Sequence, residues 1–257
     1  MAATPPFSDL AGKKALITGG SRGIGAATAL LLARCRVDVA IGYRSRSTDA
    51  DRVVSEVVHS GARGFAFAAD VSSASGAERL VDRASDALGN IDIFIGNAGV
   101  WPAEEADVGS MDPARWADTL RENLDSIFFT TRAVIPAVPD GGRIVLVSST
   151  AGQRGEAFHA DYATTKGGVI AFTKSIAIEL APRGINVNAV APGWVDTEMV
   201  AGAIADSGRT RIESSIPVGR IASAEDVAGP IVFLCSMLAR HITGEVLNVN
   251  GGSVLCG

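Results

Sequence analysis

Cysteine is sparse in this chain. Cys35, Cys235 and Cys256 lie far apart and are odd in number, which excludes a disulfide framework and leaves no zinc-ligand spacing. No metal is expected, and reduced thiols point to the cytoplasm. Aromatic residues are scarce too, at 5% of the 257 residues. A run of about 18 apolar residues is missing, so no membrane span is expected. Basic blocks are absent and the formal net charge is only −5, which withholds support from nucleic-acid binding. The opening MAATPPFSDLAGKK lacks the charged-then-apolar order of a signal peptide, and residues 1–10 are expected to be a short flexible lead-in. Repeats, low-complexity tracts and linkers are likewise missing. One domain over residues 1–257 is the expectation.

What the chain does have is apolar residues, at 47%, and 29 glycines, suited to helices packed closely on a sheet. Short apolar runs alternate with helical patterns almost throughout. Strands are expected at 14–18, 37–42, 64–68, 91–95, 143–148, 186–190 and 245–249. Helices are expected from the first glycine turn to about Arg34, at 51–59 and 77–88, over a long stretch 113–135, from Tyr162 to about Leu180, and at 224–237. Residues 197–214 read as irregular or briefly helical. Apolar strands alternating with helices predict an α/β Rossmann-type fold: a doubly wound parallel sheet of about seven strands with helices on both faces.

Ser149 to Lys166, STAGQRGEAFHADYATTK, follows an apolar strand and runs into a helix. Tyr162 and Lys166 are four apart, hence one turn apart on one helix face. A phenol with a pKa of about 10 is a poor acid or base at neutral pH, and a nearby ammonium is expected to lower that value. A serine from the preceding strand is placed to hold a carbonyl oxygen. The bland alternative is an amphipathic helix with Tyr162 and Lys166 on its surface.

Between the first strand and helix stands Gly19-Gly20-Ser21-Arg22-Gly23-Ile24-Gly25. A glycine turn opening a helix presents free N–H groups to a phosphate, and glycines at 19, 23 and 25 permit positive φ and close approach. The same turn matches the G-x-S-x-G nucleophile elbow of serine hydrolases. Only one strand precedes it, however, and none of His59, His159 and His241 sits in a context that singles it out. After the second strand come Tyr43-Arg44-Ser45-Arg46 rather than an acid, and Asp38 comes too early to meet a ribose hydroxyl. With Arg22, these cations suit a 2′-phosphate. NADP(H) is therefore preferred, with NAD(H) possible.

Together these motifs resemble the short-chain dehydrogenase/reductase family over about Leu10 to Gly252. They stand as Thr18-Gly19-Gly20-Ser21-Arg22-Gly23-Ile24-Gly25, Asp70-Val71, Asn97-Ala98-Gly99, Asn123, Ser149, Tyr162-Ala163-Thr164-Thr165-Lys166 and Pro192-Gly193. One departure is visible: a loop usually written N-N-A-G begins here with Gly96. The resemblance implies that Tyr162 is the acid/base, that Lys166 binds the nicotinamide ribose and depresses the phenol's pKa, and that Ser149 holds the substrate carbonyl. The family's thirteen-residue step to the tyrosine selects Ser149 over Ser148. Asn123 is implied to hold a water in a proton relay, with a helix-interior Asn bonded to backbone as the bland alternative. Asp70 is implied to bind the adenine amino group, Asn97 to hold the adenosine-side loop, Ile24 to line the pyrophosphate turn, and Val195 and Thr197 to meet the nicotinamide amide. Gly19, Ser21, Gly23, Gly25, Val71, Ala98, Gly99, Pro192 and Gly193 complete the implied dinucleotide site.

The expected activity is reversible NADPH-dependent reduction of a ketone. Trp101, Phe158 and Trp194, with Val100, Gln153, Arg154, Met199 and Ile204, are the candidate pocket and suggest a largely apolar ketone. The nearest general look is to 3-oxoacyl-(acyl carrier protein) reductases. Arg183 matches one carrier-docking arginine there, but Asp140 falls where another cation is expected and would repel an acidic carrier. A free small-molecule ketone is therefore preferred, with acyl carrier protein as the alternative. A homotetramer, or a dimer, is implied by the family. Relatives that keep the fold as non-catalytic dinucleotide sensors or scaffolds commonly lose the Tyr or Lys, and this chain keeps both.

Overall fold

Seven parallel strands form one sheet in the computed structural model, which describes residues 7–205 and 207–255. They are β1 (Lys14–Thr18), β2 (Asp38–Tyr43), β3 (Gly64–Ala68), β4 (Ile93–Gly96), β5 (Arg143–Val147), β6 (Asn186–Pro192) and β7 (Val246–Val249), in the spatial order β3-β2-β1-β4-β5-β6-β7. The order reverses between β1 and β4, which pair with Leu16 opposite Phe94. Such a reversal opens a crevice at the carboxyl ends of the strands, where ligands bind in this architecture.

Alternation along β1 divides the core. Ala15 and Ile17 face α1 (Gly23–Arg34), α2 (Ser47–His59) and α9 (Ala224–Cys235), while Leu16 faces α3 (Ala74–Leu88), α5 (Ser126–Val134) and α7 (Ala160–Leu180). Successive strand side chains point to opposite faces, so one five-residue strand supports both layers. Phe94 is fully buried in the second layer; truncating such a ring to alanine costs about 3–5 kcal/mol. The helices start where local chemistry allows. Ser73 caps α3 by accepting the Gly76 N–H, and Ser223 and Asp226 form a reciprocal box at α9. Asp112 caps α4 (Pro113–Leu120), which has Pro113 in its first turn.

The long helix expected over 113–135 is not one regular helix. α4 passes into a π-helical turn, Arg121–Asp125, before α5 begins. The Ser126 hydroxyl donates to the Glu122 carbonyl at 2.7 Å. Residue patterning gives no sign of such a turn, which alters helix register without altering the apolar spacing on either side. A short helix absent from the sequence reading, α6 (Thr150–Arg154), precedes α7. The stretch after β6 contains a 3₁₀ turn, Glu198–Val200, and α8 (Gly208–Ser215). The expected loose lead-in needs correcting at its end. Ser8–Leu10 forms a 3₁₀ turn with Leu10 buried, and Asp9 accepts the Met237 N–H at 2.8 Å; residues 1–6 lie outside the described residues.

Candidate active site

Gly19 takes φ 65° at the end of β1, and a Cβ on Gly25 would fall 2.3 Å from the Gly19 carbonyl. α1 therefore starts hard against the turn. Its N-cap residue, Arg22, makes no side-chain cap bond, so the first N–H groups of α1 are not used up by a cap. Gly19, Ser21, Arg22, Gly23 and Ile24 line a groove along this turn. Gly25 does not line it and serves the close packing instead. Arg44 enters the groove after β2, Asp70 and Val71 after β3, and Asn97, Ala98 and Gly99 after β4. Asp70 accepts from Ser72 N at 3.1 Å and Ser72 Oγ at 2.7 Å, and these bonds hold its carboxyl below the usual range. The Thr18 hydroxyl receives the N–H groups of Asn97 and Ala98, both at 3.0 Å. The Asn97 amide donates back to Thr18 O at 3.0 Å and Gly19 O at 3.1 Å. Gly96 has a packing reason to replace the usual Asn: a Cβ there would sit 2.7 Å from Leu146 Cδ2. A narrow glycine turn, a helix start without a side-chain cap and a cationic rim fit a dinucleotide.

The rim carries partners that sequence reasoning missed. Arg44 Nη1 donates to both Glu122 oxygens at 2.6 Å. Arg22 and Arg46 both bond Glu198, at 2.6 and 3.0 Å. These partners are 78 to 176 residues away in sequence, so no local pattern announces them. Asp38 is engaged elsewhere, on Arg63 at 2.8 Å.

A second pocket adjoins the groove and holds Ser149, Tyr162, Lys166, Pro192, Gly193, Val195 and Thr197. Ser149 caps α6, accepting the Ala151 N–H at 3.1 Å, and its hydroxyl is near enough to the Tyr162 phenol to favour the phenolate. Ser148 instead donates to the Lys166 carbonyl at 2.8 Å, so its hydroxyl is engaged by the backbone of α7. Lys166 Nζ donates to Val147 O at 3.0 Å and lies 5.7 Å from the Tyr162 ring centre. The expected depression of the phenol's pKa does not appear. Burial pushes Tyr162 up to about 12, with the nearby Ser149 hydroxyl opposing and Glu156 adding to the rise. Burial also brings Lys166 down to about 8. Desolvation disfavours both charged forms here.

Asn123 sits fully buried in the π turn. Its amide donates to Val100 O at 2.9 Å and its oxygen accepts Val100 N–H at 2.7 Å. The side chain thus clamps the loop after β4, rather than bonding its own helix. Gly99 lies between it and the lysine: a Cβ there would meet Asn123 Oδ1 at 2.7 Å and Lys166 Nζ at 3.5 Å. Just before Tyr162, Asp161 is buried and bonded to Arg115 and Thr119, each at 2.9 Å. That tie fixes the start of α7 against α4.

Among the candidate substrate residues, Trp101 and Trp194 line the pocket, edge to face at 5.9 Å. Phe158 does not; it is exposed, with φ 64°. Gln153 is tied to Asn248 at 2.6 Å, and Ile204 packs in a small cluster with Ile212, Ile216 and Ile221. Val100, Arg154 and Met199 do line the pocket, and so does Glu156, which the sequence reading passed over. Burial raises the Glu156 carboxyl, opposed by the nearby His159 and the Trp101 indole, and its place in the lining makes the pocket less apolar than expected. Ser21 has no histidine partner among the described residues. His159 stacks on Trp101 at 4.9 Å, far from a hydrolase arrangement.

Comparison with known proteins agrees with this geometry. The family model described as Enoyl-(Acyl carrier protein) reductase matches residues 19–253. A 3-oxoacyl-[acyl-carrier-protein] reductase of Synechocystis sp. is 39% identical over 249 residues, covering 96% of this chain and 98% of that one. A solved short-chain dehydrogenase/reductase from Serratia marcescens superposes with a TM-score of 0.90 at 34% identity, over 95% of this chain and 99% of that one. The reductase LugOII, described as promiscuous and as catalysing keto-reduction at C1 during lugdunomycin biosynthesis, superposes with a TM-score of 0.90 at 32% identity, over 96% and 100%.

Proposed function

Because the chain belongs to the short-chain dehydrogenase/reductase family, we propose that this oxidoreductase reduces the keto group of a 3-oxoacyl thioester to a secondary alcohol, with NADPH as its preferred cofactor. The observation that carries the reaction class is the gathering of Ser149, Tyr162 and Lys166 in one pocket, with Lys166 Nζ 5.7 Å from the Tyr162 ring centre. The thioester is supported by the 39% identity to a 3-oxoacyl-[acyl-carrier-protein] reductase.

A bound nicotinamide dinucleotide supplies the hydride. Ser149 and Tyr162 donate hydrogen bonds to the carbonyl oxygen, where negative charge grows. Tyr162, kept protonated by its burial, passes its proton to that oxygen. Lys166 stabilises the phenolate left behind, and Asn123 holds the loop that closes over both. In the reverse direction Tyr162 must first be the phenolate, which then receives the alcohol proton. Arg22, Arg44 and Arg46 are the candidate 2′-phosphate ligands, and Asp70 the adenine ligand. Pro192, Gly193, Val195 and Thr197 are the candidate contacts to the nicotinamide amide. Replacing Tyr162 by Phe should abolish turnover and leave dinucleotide binding nearly intact; ordinary turnover would refute the assignment.

A second reading, a free cyclic ketone, is favoured by Arg183. This arginine is paired with Asp140 at 3.0 Å and donates to Ile135 O at 3.2 Å, so it is engaged in structure rather than free for an acidic carrier. Comparing kcat/KM for an acetoacetyl thioester on carrier protein with that for cyclic ketones separates the two. The thioester reading expects the first to be higher by tenfold or more, and a preference for cyclic ketones would replace it with the second. The proposal extends to a homotetramer, supported by Phe128 on α5 and Ile178 on α7, which stand exposed. It also extends to a cytoplasmic setting, supported by Cys35 and Cys235 as free thiols; Cys256 lies outside the described residues. No helix among the described residues is long and apolar enough to cross a membrane.

A further inference from the structure

Two of the cations suited to a 2′-phosphate share a single carboxylate. Arg22 comes from the turn before α1, Arg46 from the segment before α2, and Glu198 from the turn after β6. Glu198 Oε2 receives Arg22 Nη1 at 2.6 Å and Arg46 Nη2 at 3.0 Å. All three residues line the dinucleotide groove. Asp49 also approaches Arg46, at 3.7 Å, but from within α2. Glu198 lies on a different element from both arginines. Its neighbour Thr197 lies against the phosphate turn, with Cγ2 only 3.3 Å from where a Cβ on Gly23 would stand. The carboxylate therefore occupies guanidinium donors that line the groove.

A carboxylate and a phosphate are like-charged ligands for the same guanidinium donors. A 2′-phosphate approaching Arg22 and Arg46 meets an oxygen already in place, and the two anions repel at contact distance. A ribose 2′-hydroxyl meets the same oxygen as a hydrogen-bond acceptor. We infer that Glu198 is a built-in counter-ligand of the 2′-phosphate site, which must release Arg22 and Arg46 before NADP(H) can use them, and so limits this protein's discrimination between NADP(H) and NAD(H). The inference rests on the dinucleotide-dependent reading above and adds to it a residue that moves the cofactor ratio. All three side chains are about half exposed, so the exchange needs no opening of the core. Glu198 is also flanked by Thr197 and Met199, which line both the groove and the reacting pocket.

The test is calorimetric binding of NADP⁺, NAD⁺ and 2′,5′-ADP to the wild type, to Glu198→Gln, and to Arg22→Met/Arg46→Met with and without Glu198→Gln. In Glu198→Gln the ratio Kd(NADP⁺)/Kd(NAD⁺) is expected to fall about fivefold, the scale of exposed ion pairs, with 2′,5′-ADP tightening alongside NADP⁺. In the double-arginine background the same change should leave the ratio unmoved. An unmoved ratio in the single variant, or equal shifts for NADP⁺ and NAD⁺, would overturn the inference while leaving the oxidoreductase reading intact. A wild type that binds neither dinucleotide would overturn that reading, and the inference with it.

Discussion

The reacting centre and the cofactor rim lie a few residues apart yet are held by opposite means. Around Tyr162 the polar groups are buried, and fixed hydrogen bonds hold them: Lys166 on Val147 O, Asn123 on Val100, Asp161 on Arg115 and Thr119. Around Arg22, Arg44 and Arg46 the groups are exposed and matched by carboxylates that a ligand can replace. A proton-transfer site gains from rigid placement, because its geometry must not relax as charge develops. A binding rim gains from partners that exchange, since exposed ion pairs contribute little to stability.

The sharpest way to break that comparison is at the centre. Tyr162→Phe should lower kcat by about 10³-fold or more, and Ser149→Ala by about 10²-fold, while dinucleotide Kd changes by less than about twofold. Steady-state rates and calorimetric binding check this; comparable losses in both quantities would erase the distinction.

Next comes the support beneath Tyr162. Arg115→Ala leaves the buried Asp161 carboxylate without its guanidinium and should destabilise the fold by about 3 kcal/mol, read from urea melts at pH 7. Removing Arg44 from Glu122 on the exposed rim should cost less than about 1 kcal/mol.

A smaller effect follows from the lysine. Burial lowers Lys166 to about 8 from an ordinary value of about 10.4. Between those values the unfolded chain binds the proton that the folded chain has lost, so stability rises with pH. The gain in wild type relative to Lys166→Met should be about 1.4 kcal/mol per pH unit between pH 8 and 10. Urea melts of both proteins at pH 7.5, 8.5 and 9.5 test it, and parallel curves would show that Lys166 titrates normally. Tyr162 acts with the opposite sign and later. Its raised pKa gives stability that is complete below pH 10 and lost toward about 12.

The smallest expected effect is salt. Raising NaCl from 0.05 to 0.5 M should weaken NADP⁺ binding more than NAD⁺ binding, by roughly threefold, because screening acts on exposed charges. Titrations at the two salt concentrations read it, and equal weakening would remove the rim's special status.

Sequence legibility follows the same division. The four-residue step from Tyr162 to Lys166, the glycine turn and the strand–helix alternation are local patterns, and the structure assembles them as expected. The choice of Ser149 over Ser148 rests on family spacing; the Ser148 hydroxyl is engaged by the Lys166 carbonyl. Other features depend on distant parts of the chain. The partners Glu122 and Glu198 lie on other elements. The π turn around Asn123 leaves the apolar pattern on either side unchanged. Phe158 lies in the loop after the fifth strand, where strand-end loops are expected to line the pocket, but its left-handed backbone conformation leaves it at the surface. The phenol's pKa was inferred from its neighbour's charge alone, and the depth of the site is a property of the whole fold.

The Thr18 hydroxyl has a consequence for anyone reshaping this protein. It ends the first strand, yet it receives two successive amides from the loop after the fourth. One oxygen atom thus fastens the phosphate turn and the neighbouring crossover into a single part. A library that randomises either loop while keeping the threonine varies a jointed assembly as one piece. Thr18→Val, almost identical in shape, would remove both hydroxyl bonds and leave the two loops joined only through the Asn97 side chain on Thr18 O and Gly19 O.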